Sequence, residues 1–276
     1  MIRIENLGFS YGKVPVLKNI TMSLEPGKIY GLLGENGVGK TTLLTLLCGL
    51  KKALEGGISV DGIDPYSRNP ELLAKQFYLA DEMLALPIKA ADYAKMTGEF
   101  WPNYSHDMFL EIMELFENDP QKKLIAMSAG QLKKAYISLA LALGCRYIYL
   151  DEPTNGLDIP SKAQFRSALM KYTSEDSTIV ISTHQVRDLE NIIDPIIILD
   201  RQEVLLNADV ETISKKLYFD YGTELHPESL YSEQLPGGFI QVYPNTDCRE
   251  SKVNIEALFN AVHKNKELIK GLFAIK

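Results

Sequence analysis

The chain has 276 residues, of which 46% are hydrophobic and 24% are charged, as in an ordinary soluble globular protein. This length fits one large domain, or one domain with a small appendage. The net charge of −7 argues against a general nucleic-acid-binding surface, and we expect no nucleic-acid partner. The three cysteines lie far apart without a CxxC spacing, which argues against a zinc site and favours a reducing compartment.

The apolar stretches of the sequence are too short to span a membrane. The longest, residues 136–150, is interrupted by Gly144 and Arg146, and it falls below the ~20 residues that a spanning helix needs. Residues 1–6 lack the apolar core of a secretory signal peptide. We therefore expect a cytoplasmic protein, and any membrane part would be supplied by other chains.

The N-terminal region alternates apolar and polar residues, which predicts half-buried strands at residues 2–9 and 16–24. Tyr11 lies in the loop between these two strands. Its ring could stack on a nucleotide base if a nucleotide site follows, and ordinary loop packing explains it equally well.

Residues 34–41 have the spacing G-x-x-x-x-G-K-[ST] of a phosphate-binding loop, between a predicted buried strand at 28–33 and a predicted helix at 42–47. Glycines let consecutive backbone N–H groups turn towards a phosphate, and the N-terminus of the helix adds positive potential. Lys40 would reach the β- and γ-phosphates, and the Thr41 hydroxyl would bind Mg²⁺. The segment therefore predicts a nucleoside triphosphate site.

Short elements follow this helix. We expect a turn at 55–57, a strand at 58–60, a helix at 70–75 and a strand at 76–80. The last strand is followed by two acidic residues, of which the first is Asp81. A carboxylate at this strand end could contact Mg²⁺ or its waters, and a solvated strand end explains it equally well.

Helical periodicity dominates from residue 88 to residue 123, and we interpret this stretch as a helical subdomain inserted into an α/β core. An aromatic cluster at 100–104 lies within it. Core packing is the favoured interpretation of such a cluster, and a partner-binding surface is the alternative.

A second strong helix is predicted from Ser128 to Gly144, with Ser128 as its N-cap. Its N-terminus is suited to an anion, but it lies beyond the helical insertion and need not face the phosphate-binding loop of the same chain. A head-to-tail two-fold dimer would bring the two sites together. The alternative is a plain helix cap.

The strand predicted at 147–150 ends in an acidic pair, Asp151 and Glu152. Beside a phosphate-binding loop, Asp151 would hold Mg²⁺ through a water molecule and Glu152 would polarise the attacking water. A further strand at 178–182 leads to His184, which would point into the crevice at the carboxyl end of the sheet. A lone histidine is otherwise a hydrogen-bonded structural residue.

The remaining core elements are predicted as helices at 161–172 and 185–191 and as strands at 195–199 and 203–206. Strands that alternate with helices predict an α/β fold with a mostly parallel sheet flanked by helices. Beyond residue 210 the alternation stops, and strands at 217–221 and 239–243 precede a helical stretch at 254–273 with a break near Asn265. We assign residues 1–210 to one domain and residues 211–276 to a small α+β appendage.

Together these residues resemble the ATP-binding subunit of ABC transporters over about residues 1–206. The residues that match the family's Walker A loop are Gly34, Glu35, Asn36, Gly37, Val38, Gly39, Lys40, Thr41 and Thr42. Those that resemble its LSGGQ signature are Ser128, Ala129, Gly130 and Gln131. Tyr11 matches the adenine-stacking aromatic, and Asp151 with Glu152 matches Walker B and its catalytic glutamate. Asp158 matches the D-loop aspartate and His184 the switch histidine.

The resemblance implies a P-loop NTPase core with an N-terminal antiparallel β part and a helical subdomain at about 86–145. It implies ATP and Mg²⁺ as ligands and a head-to-tail dimer in which the Ser128 segment caps ATP held by Lys40 of the other subunit. Glu152 would activate water, His184 would contact the γ-phosphate and Asp158 would couple the two sites. Separate membrane permease subunits would dock near the helical subdomain, which places the protein at the inner face of the cell membrane.

Three positions depart from the family pattern. Asp81 stands where a glutamine is usual, and Lys134 stands where an arginine is frequent. Ala129 replaces a glycine, and if that position needs a positive φ the alanine costs about 1 kcal/mol. Because the main catalytic residues are present, the resemblance still implies an active ATPase.

Other classes of protein share some of these motifs. A P-loop GTPase would need an NKxD-type motif, which the sequence lacks. A soluble ABC ATPase of the iron–sulfur assembly type fits the same residues, and so does a regulatory module that binds nucleotide without hydrolysing it. The transported molecule is not encoded in these motifs, and the single ATPase chain with a small appendage slightly favours an exporter.

Overall fold

A computed structural model describes residues 1–273 of the chain. The strands are β1 (Ile2–Tyr11), β2 (Val14–Leu24), β3 (Ile29–Leu33), β4 (Glu55–Val60), β5 (Gln76–Leu79), β6 (Tyr147–Asp151), β7 (Thr178–Thr183), β8 (Ile196–Asp200), β9 (Glu203–Ala208), β10 (Leu217–Gly222), β11 (Tyr231–Leu235) and β12 (Gly238–Pro244). The α-helices are α1 (Lys40–Leu47), α2 (Pro70–Leu73), α3 (Ala90–Gly98), α4 (His106–Leu115), α5 (Ala129–Ala142), α6 (Ile159–Tyr172), α7 (Val210–Lys216), α8 (Ile255–Lys264) and α9 (Lys266–Phe273).

The central sheet has the strand order β5-β6-β7-β3-β8-β9, and only β9 runs antiparallel to its neighbour. Leu33 pairs with Thr183, and Asp151 pairs with Ser182. The phosphate-binding loop after β3 and the acidic pair at the end of β6 therefore reach the same edge of the sheet as the end of β7. The predicted mostly parallel α/β sheet is confirmed.

A separate antiparallel sheet with the order β2-β1-β4 covers the N-terminal part. The turn predicted at 55–57 is wrong, because these residues form the first half of β4. Gly57 pairs with Glu5, and a Cβ on Gly56 would lie 2.1 Å from the Glu5 carbonyl oxygen. The glycines thus serve an irregular strand pairing in which two backbones approach closely.

The inserted stretch is helical, as the periodicity predicted, and α3 and α4 pack with α5 around a buried aromatic and aliphatic core. The side chains of the aromatic cluster at 100–104 differ in burial. Trp101 is half-buried and its Nε1 donates to the Gln76 carbonyl at 3.1 Å, whereas Phe100 is 77% exposed. Core packing therefore accounts for Trp101 but not for Phe100.

The C-terminal stretch differs from the prediction in two elements. The helix α7 and the strand β11 were not predicted, and β11 completes an antiparallel sheet of order β10-β12-β11. The helical stretch breaks at Asn265 as predicted, and its last three residues, 274–276, lie outside the described part. Buried residues of α8 and β12 belong to the same apolar cluster as β9, so this part packs directly against the α/β core.

The helix predicted at 185–191 is only a short 3₁₀ turn, Val186–Asp188. Within the part of the chain that the structure describes, none of the helices combines the length and apolar character that a membrane crossing needs.

Candidate nucleotide-binding site

The loop between β3 and α1 has the backbone that a phosphate cradle requires. Gly37 and Gly39 adopt φ values of 83° and 112°, which side chains with a Cβ rarely accept. Gly34 lies so close to β8 that a Cβ there would be 2.6 Å from the Leu199 carbonyl oxygen. The glycine spacing in the sequence thus follows from backbone conformation at two positions and from packing at the third.

Lys40 is almost fully buried at 6% exposure, and its ammonium group is held by the loop itself. It donates to the carbonyl oxygens of Gly34 at 2.8 Å and Glu35 at 3.1 Å. Its Nζ also lies 3.5 Å from Glu152 Oε1. The lysine is therefore already directed into the loop, next to the acidic pair.

Two threonines and one tyrosine lie at the rim of this loop. Thr41 is exposed at the start of α1, whereas Thr42 is buried and its hydroxyl lies 3.3 Å from the Tyr11 hydroxyl. Tyr11 is half exposed, and the Lys51 ammonium lies 5.0 Å from its ring centroid. The structure thus gives Tyr11 a position beside the loop helix, with one ring contact to a cation.

Asp151 ends β6 with a carboxylate that is 3% exposed. The Ser182 hydroxyl donates to Oδ1, and the Tyr78 hydroxyl donates to Oδ2 at 3.2 Å. Burial, followed by the nearby Asp151 charge, raises the pKa of Tyr78 well above its ordinary value, so this hydroxyl remains a donor. The sequence did not identify Ser182 and Tyr78 as partners of Asp151, because only the pairing of β6 with β5 and β7 brings them together.

The surroundings of the Asp151 carboxylate suit a bound cation. Among residues 1–273, no lysine, arginine or histidine lies within ion-pair distance of Asp151, and its partners are neutral hydroxyls. A buried carboxylate without a cationic partner is costly unless a cation or its bound water completes it. The Asp151 carboxylate therefore fits Mg²⁺, and the Thr41 hydroxyl stays the second oxygen donor predicted from the sequence.

Glu152 has a left-handed backbone with φ 47°, which costs a residue with a side chain about 1–2 kcal/mol. Its N–H donates to the Ser182 carbonyl and hydroxyl oxygens, both at 3.1 Å. Its Oε1 lies 2.9 Å from His184 Nδ1, without the alignment of a hydrogen bond. The strained turn directs the carboxylate between Lys40 and His184, so the structure brings together all three predicted catalytic residues.

The signature segment forms the start of α5. Ser128 caps the helix by accepting from the Gln131 N–H at 3.3 Å, and the Gln131 side chain accepts from the Ser128 N–H at 3.1 Å. Ala129 is the first helical residue and has no positive φ, so the backbone penalty considered for it is wrong. Gly130 faces the Gly156 carbonyl, and a Cβ there would lie at an ordinary distance of 3.7 Å.

Two other predicted site residues have partners within the chain. Asp158 caps α6 by accepting from the Ser161 N–H at 2.9 Å, and the Ser161 side chain, followed by this backbone bond, lowers the pKa of its carboxyl. Asp81 lies 2.8 Å from the ammonium of Lys133, so a magnesium role would require it to leave that ion pair. Lys133 was not identified from the sequence, since only the packing of α5 places it beneath the acidic pair.

Known proteins that resemble this chain bind ATP, in agreement with the geometry of the site. The family described as ABC transporter matches residues 17–155. An uncharacterized ABC transporter ATP-binding protein of Methanocaldococcus jannaschii is 30% identical over 243 residues, which cover 84% of this chain and 88% of that protein. A lantibiotic transport ATP-binding protein of Streptococcus pyogenes is 28% identical over 76% of this chain and 92% of that protein.

A solved structure shares the fold. It is a dimeric ATP-binding cassette in a post-hydrolysis state with ADP and phosphate, and it has a TM-score of 0.66 and 23% identity over 76% of this chain and 98% of that one. The phosphate-binding loop, the acidic pair and the histidine at one sheet edge thus agree with the family match. The chain belongs to the ABC transporter family, and it is an ATP-binding subunit with ATPase activity.

Proposed function

We propose that the chain dimerises head-to-tail around ATP, with a second copy or a related subunit, and that hydrolysis drives separate membrane permease subunits. The observation that carries this proposal is the contact of Glu152 with both Lys40 and His184 beside an open phosphate-binding loop. Within one subunit the outer side of that loop, residues 35–37, is exposed to solvent. A second subunit is therefore free to cover it.

The exposed start of α5 supplies the surface that would do so. Ser128 and Ala129 are exposed, and they lead a helix of fourteen residues whose N-terminal N–H groups favour a negative charge. In the dimer, this end of one subunit would cap the γ-phosphate bound by the other, and Asp158 would lie near the junction of the two sites.

The chemistry follows from the three central side chains. The Lys40 ammonium exchanges its two loop carbonyls for the β- and γ-phosphate oxygens, and His184 donates to the γ-phosphate. Glu152 accepts a proton from the water that attacks the γ-phosphorus, while the bond to the ADP oxygen breaks. Tyr11 stacks on the adenine. Mg²⁺, held by Thr41 and Asp151, would neutralise charge on the phosphates.

Substitution of Glu152 by glutamine tests this mechanism, because it keeps the size of the side chain and removes its basicity. We expect ATP turnover to fall by about 10²-fold or more while ATP binding persists, so that an ATP-dependent dimer accumulates in size-exclusion chromatography. Glu114→Gln, at an exposed position of α4, is the matched control. Unchanged turnover in Glu152→Gln would rule out the assignment.

An apolar groove of about 520 Å³ is the candidate binding site for the permease subunit. Leu50, Phe77, Phe100 and Trp101 line it, and Leu50 and Phe100 are 54% and 77% exposed. Large apolar side chains exposed in a concave surface favour the apolar face of a partner helix. We propose that a cytoplasmic helix of the membrane subunit binds here, which would hold the protein at the inner face of the membrane.

A soluble partner, as in iron–sulfur assembly, is the rival interpretation. Purification of the protein from membranes of its source cells distinguishes the two. Recovery of a multi-span membrane protein with the chain supports the transporter, and recovery of a soluble complex alone contradicts it.

A further inference from the structure

Lys133 is a buried cation at the junction of three segments. It lies in α5 at 7% exposure, and its ammonium donates to Asp81 Oδ1 at 2.8 Å and to the carbonyl oxygens of Glu152 and Asn155, both at 3.0 Å. An ammonium group has three N–H donors, so each has its own acceptor. One side chain thus joins the helical subdomain, the loop after β5 and the loop after β6.

The contact matters because of where it acts on Glu152. The left-handed backbone of this residue is held on its N–H side by Ser182 and on its carbonyl side by Lys133. The Asn155 N–H also donates to the Glu152 carbonyl, at 3.1 Å. Loss of the ammonium leaves the strained peptide with less support, and the carboxylate between Lys40 and His184 moves with that peptide.

The other end of the contact is accessible. The Asp81 side chain is 40% exposed, whereas the Lys133 side chain is buried. Asp81 follows β5, whose residues Phe77 and Tyr78 line the apolar groove. A partner that moves this loop therefore acts on the one carboxylate that pairs with the buried ammonium.

We propose that Lys133 is a positioning residue for the ATPase, which through its ion pair with Asp81 couples the loop after β5 to the orientation of Glu152. The inference rests on the proposed role of Glu152 as the base. The proposed coupling requires both charges of the Lys133–Asp81 pair, since a neutral residue at either position would leave the other charge without its partner.

The primary variant is Lys133→Met, which keeps the length of the side chain and removes all three bonds. Removal of one partner of a buried ion pair leaves an uncompensated charge, but the Asp81 side chain left behind is partly solvated, so the loss of its partner costs less than it would for a buried carboxylate. We expect kcat to fall by about tenfold to a hundredfold, because small displacements of a catalytic group have effects of this size. The KM for ATP should change by less than about threefold, as binding to the phosphate loop is not involved.

Lys270→Met is the matched control. It removes a half-buried lysine of α9, whose ammonium donates to Glu203 at 2.6 Å outside the nucleotide site. Its kcat should equal that of the wild-type protein. Hydrogen exchange adds a readout that does not depend on activity: amides of 152–157 should exchange faster in Lys133→Met and at the wild-type rate in Lys270→Met.

A milder variant, Asp81→Asn, keeps the two carbonyl contacts and removes the charge of the pair. Its kcat should fall less than that of Lys133→Met, and the double variant should be no worse than Lys133→Met, because the two residues act as one unit. Wild-type kcat in both single variants, or an equal loss in Lys270→Met, overturns the proposal. If Glu152→Gln retains turnover, the proposed base is wrong; normal kcat in Lys133→Met with an inactive Glu152→Gln rejects only the positioning role.

Discussion

His184 Nδ1 lies 2.9 Å from Glu152 Oε1, and the His184 N–H donates to the second carboxylate oxygen at 3.4 Å. The end of β7 and the end of β6 are thereby joined through the side chain that we assign as the base. The carboxylate oxygen Oε1 also lies 3.5 Å from Lys40 Nζ, so Glu152 lies between the two side chains that we propose to contact the γ-phosphate.

Removal of the imidazole tests this relationship. In His184→Ala, we expect kcat to fall by about 10²–10³-fold, the usual effect of losing one donor to developing charge, while the Kd for ATP changes little. His226→Ala, whose ring stacks on Tyr243 in the C-terminal sheet, is the control and should keep wild-type turnover. A weaker ATP affinity with unchanged kcat would show that His184 serves only binding.

The two positive-φ glycines of the phosphate-binding loop should respond differently to alanine. A Cβ on Gly37 meets nothing within 4 Å, whereas one on Gly39 would lie 2.9 Å from Val16 Cγ1 and 3.0 Å from Leu17 Cδ2. We expect Gly37→Ala to lower the free energy of unfolding by about 1 kcal/mol through backbone strain alone, and Gly39→Ala by about 2 kcal/mol or more. Urea unfolding without nucleotide measures both, and equal losses would contradict the packing argument.

The apolar groove should be separable from catalysis. Phe100→Asp places a charge in the groove without touching the nucleotide site, so basal ATPase activity should stay within about twofold of wild type while recovery of a membrane subunit falls by about tenfold. Met170→Asp changes a comparably exposed residue of α6, at 65% exposure, and should leave that recovery unchanged. Normal recovery with Phe100→Asp would place the permease elsewhere.

Stability at the C-terminal part should depend on the cap of α7. Asp209 accepts from the Thr212 N–H at 2.6 Å, and the Thr212 side chain, followed by this backbone bond, lowers the pKa of its carboxyl. We expect Asp209→Ala to lower the free energy of unfolding by about 1 kcal/mol at pH 7. Glu211→Gln, in the same first turn, should cost no more than about 0.5 kcal/mol.

The pH dependence of this cap has a defined sign. Because the folded-state pKa of Asp209 is depressed, the charged carboxylate stabilises the fold fully above its unfolded pKa near 3.8, and that part is lost as pH falls through the folded value. Asn is an equally good cap without a charge, so the stability difference between wild type and Asp209→Asn should shrink as the pH falls below about 4. A difference that is constant from pH 7 to pH 3 would show that the charge makes no contribution.

Local patterns determined most of the core. The spacing from Gly34 to Thr41, the apolar strand before Asp151 and the Ser128 cap are each set by residues a few positions apart, and the structure places them in the elements that the sequence predicts. The wrong predictions arose where a short stretch of sequence gave a pattern that differs from its strand pairing, or gave no clear pattern. Gly56 and Gly57 suggest a turn because glycine favours turns, yet β1 pairs with them, and β11 lacked a pattern strong enough to be recognised before its partner β12 was known.

The sequence by itself determined that the chain binds a nucleoside triphosphate, and it predicts which residues would hold it, because a phosphate-binding loop needs its glycines and lysine at fixed spacing. Only the tertiary structure decided which groups surround the carboxylates. Strand register places Ser182 opposite Asp151, and the packing of α5 directs Lys133 to Asp81 and to the backbone of Glu152. These contacts join residues separated by many positions in the chain, so no local pattern encodes them.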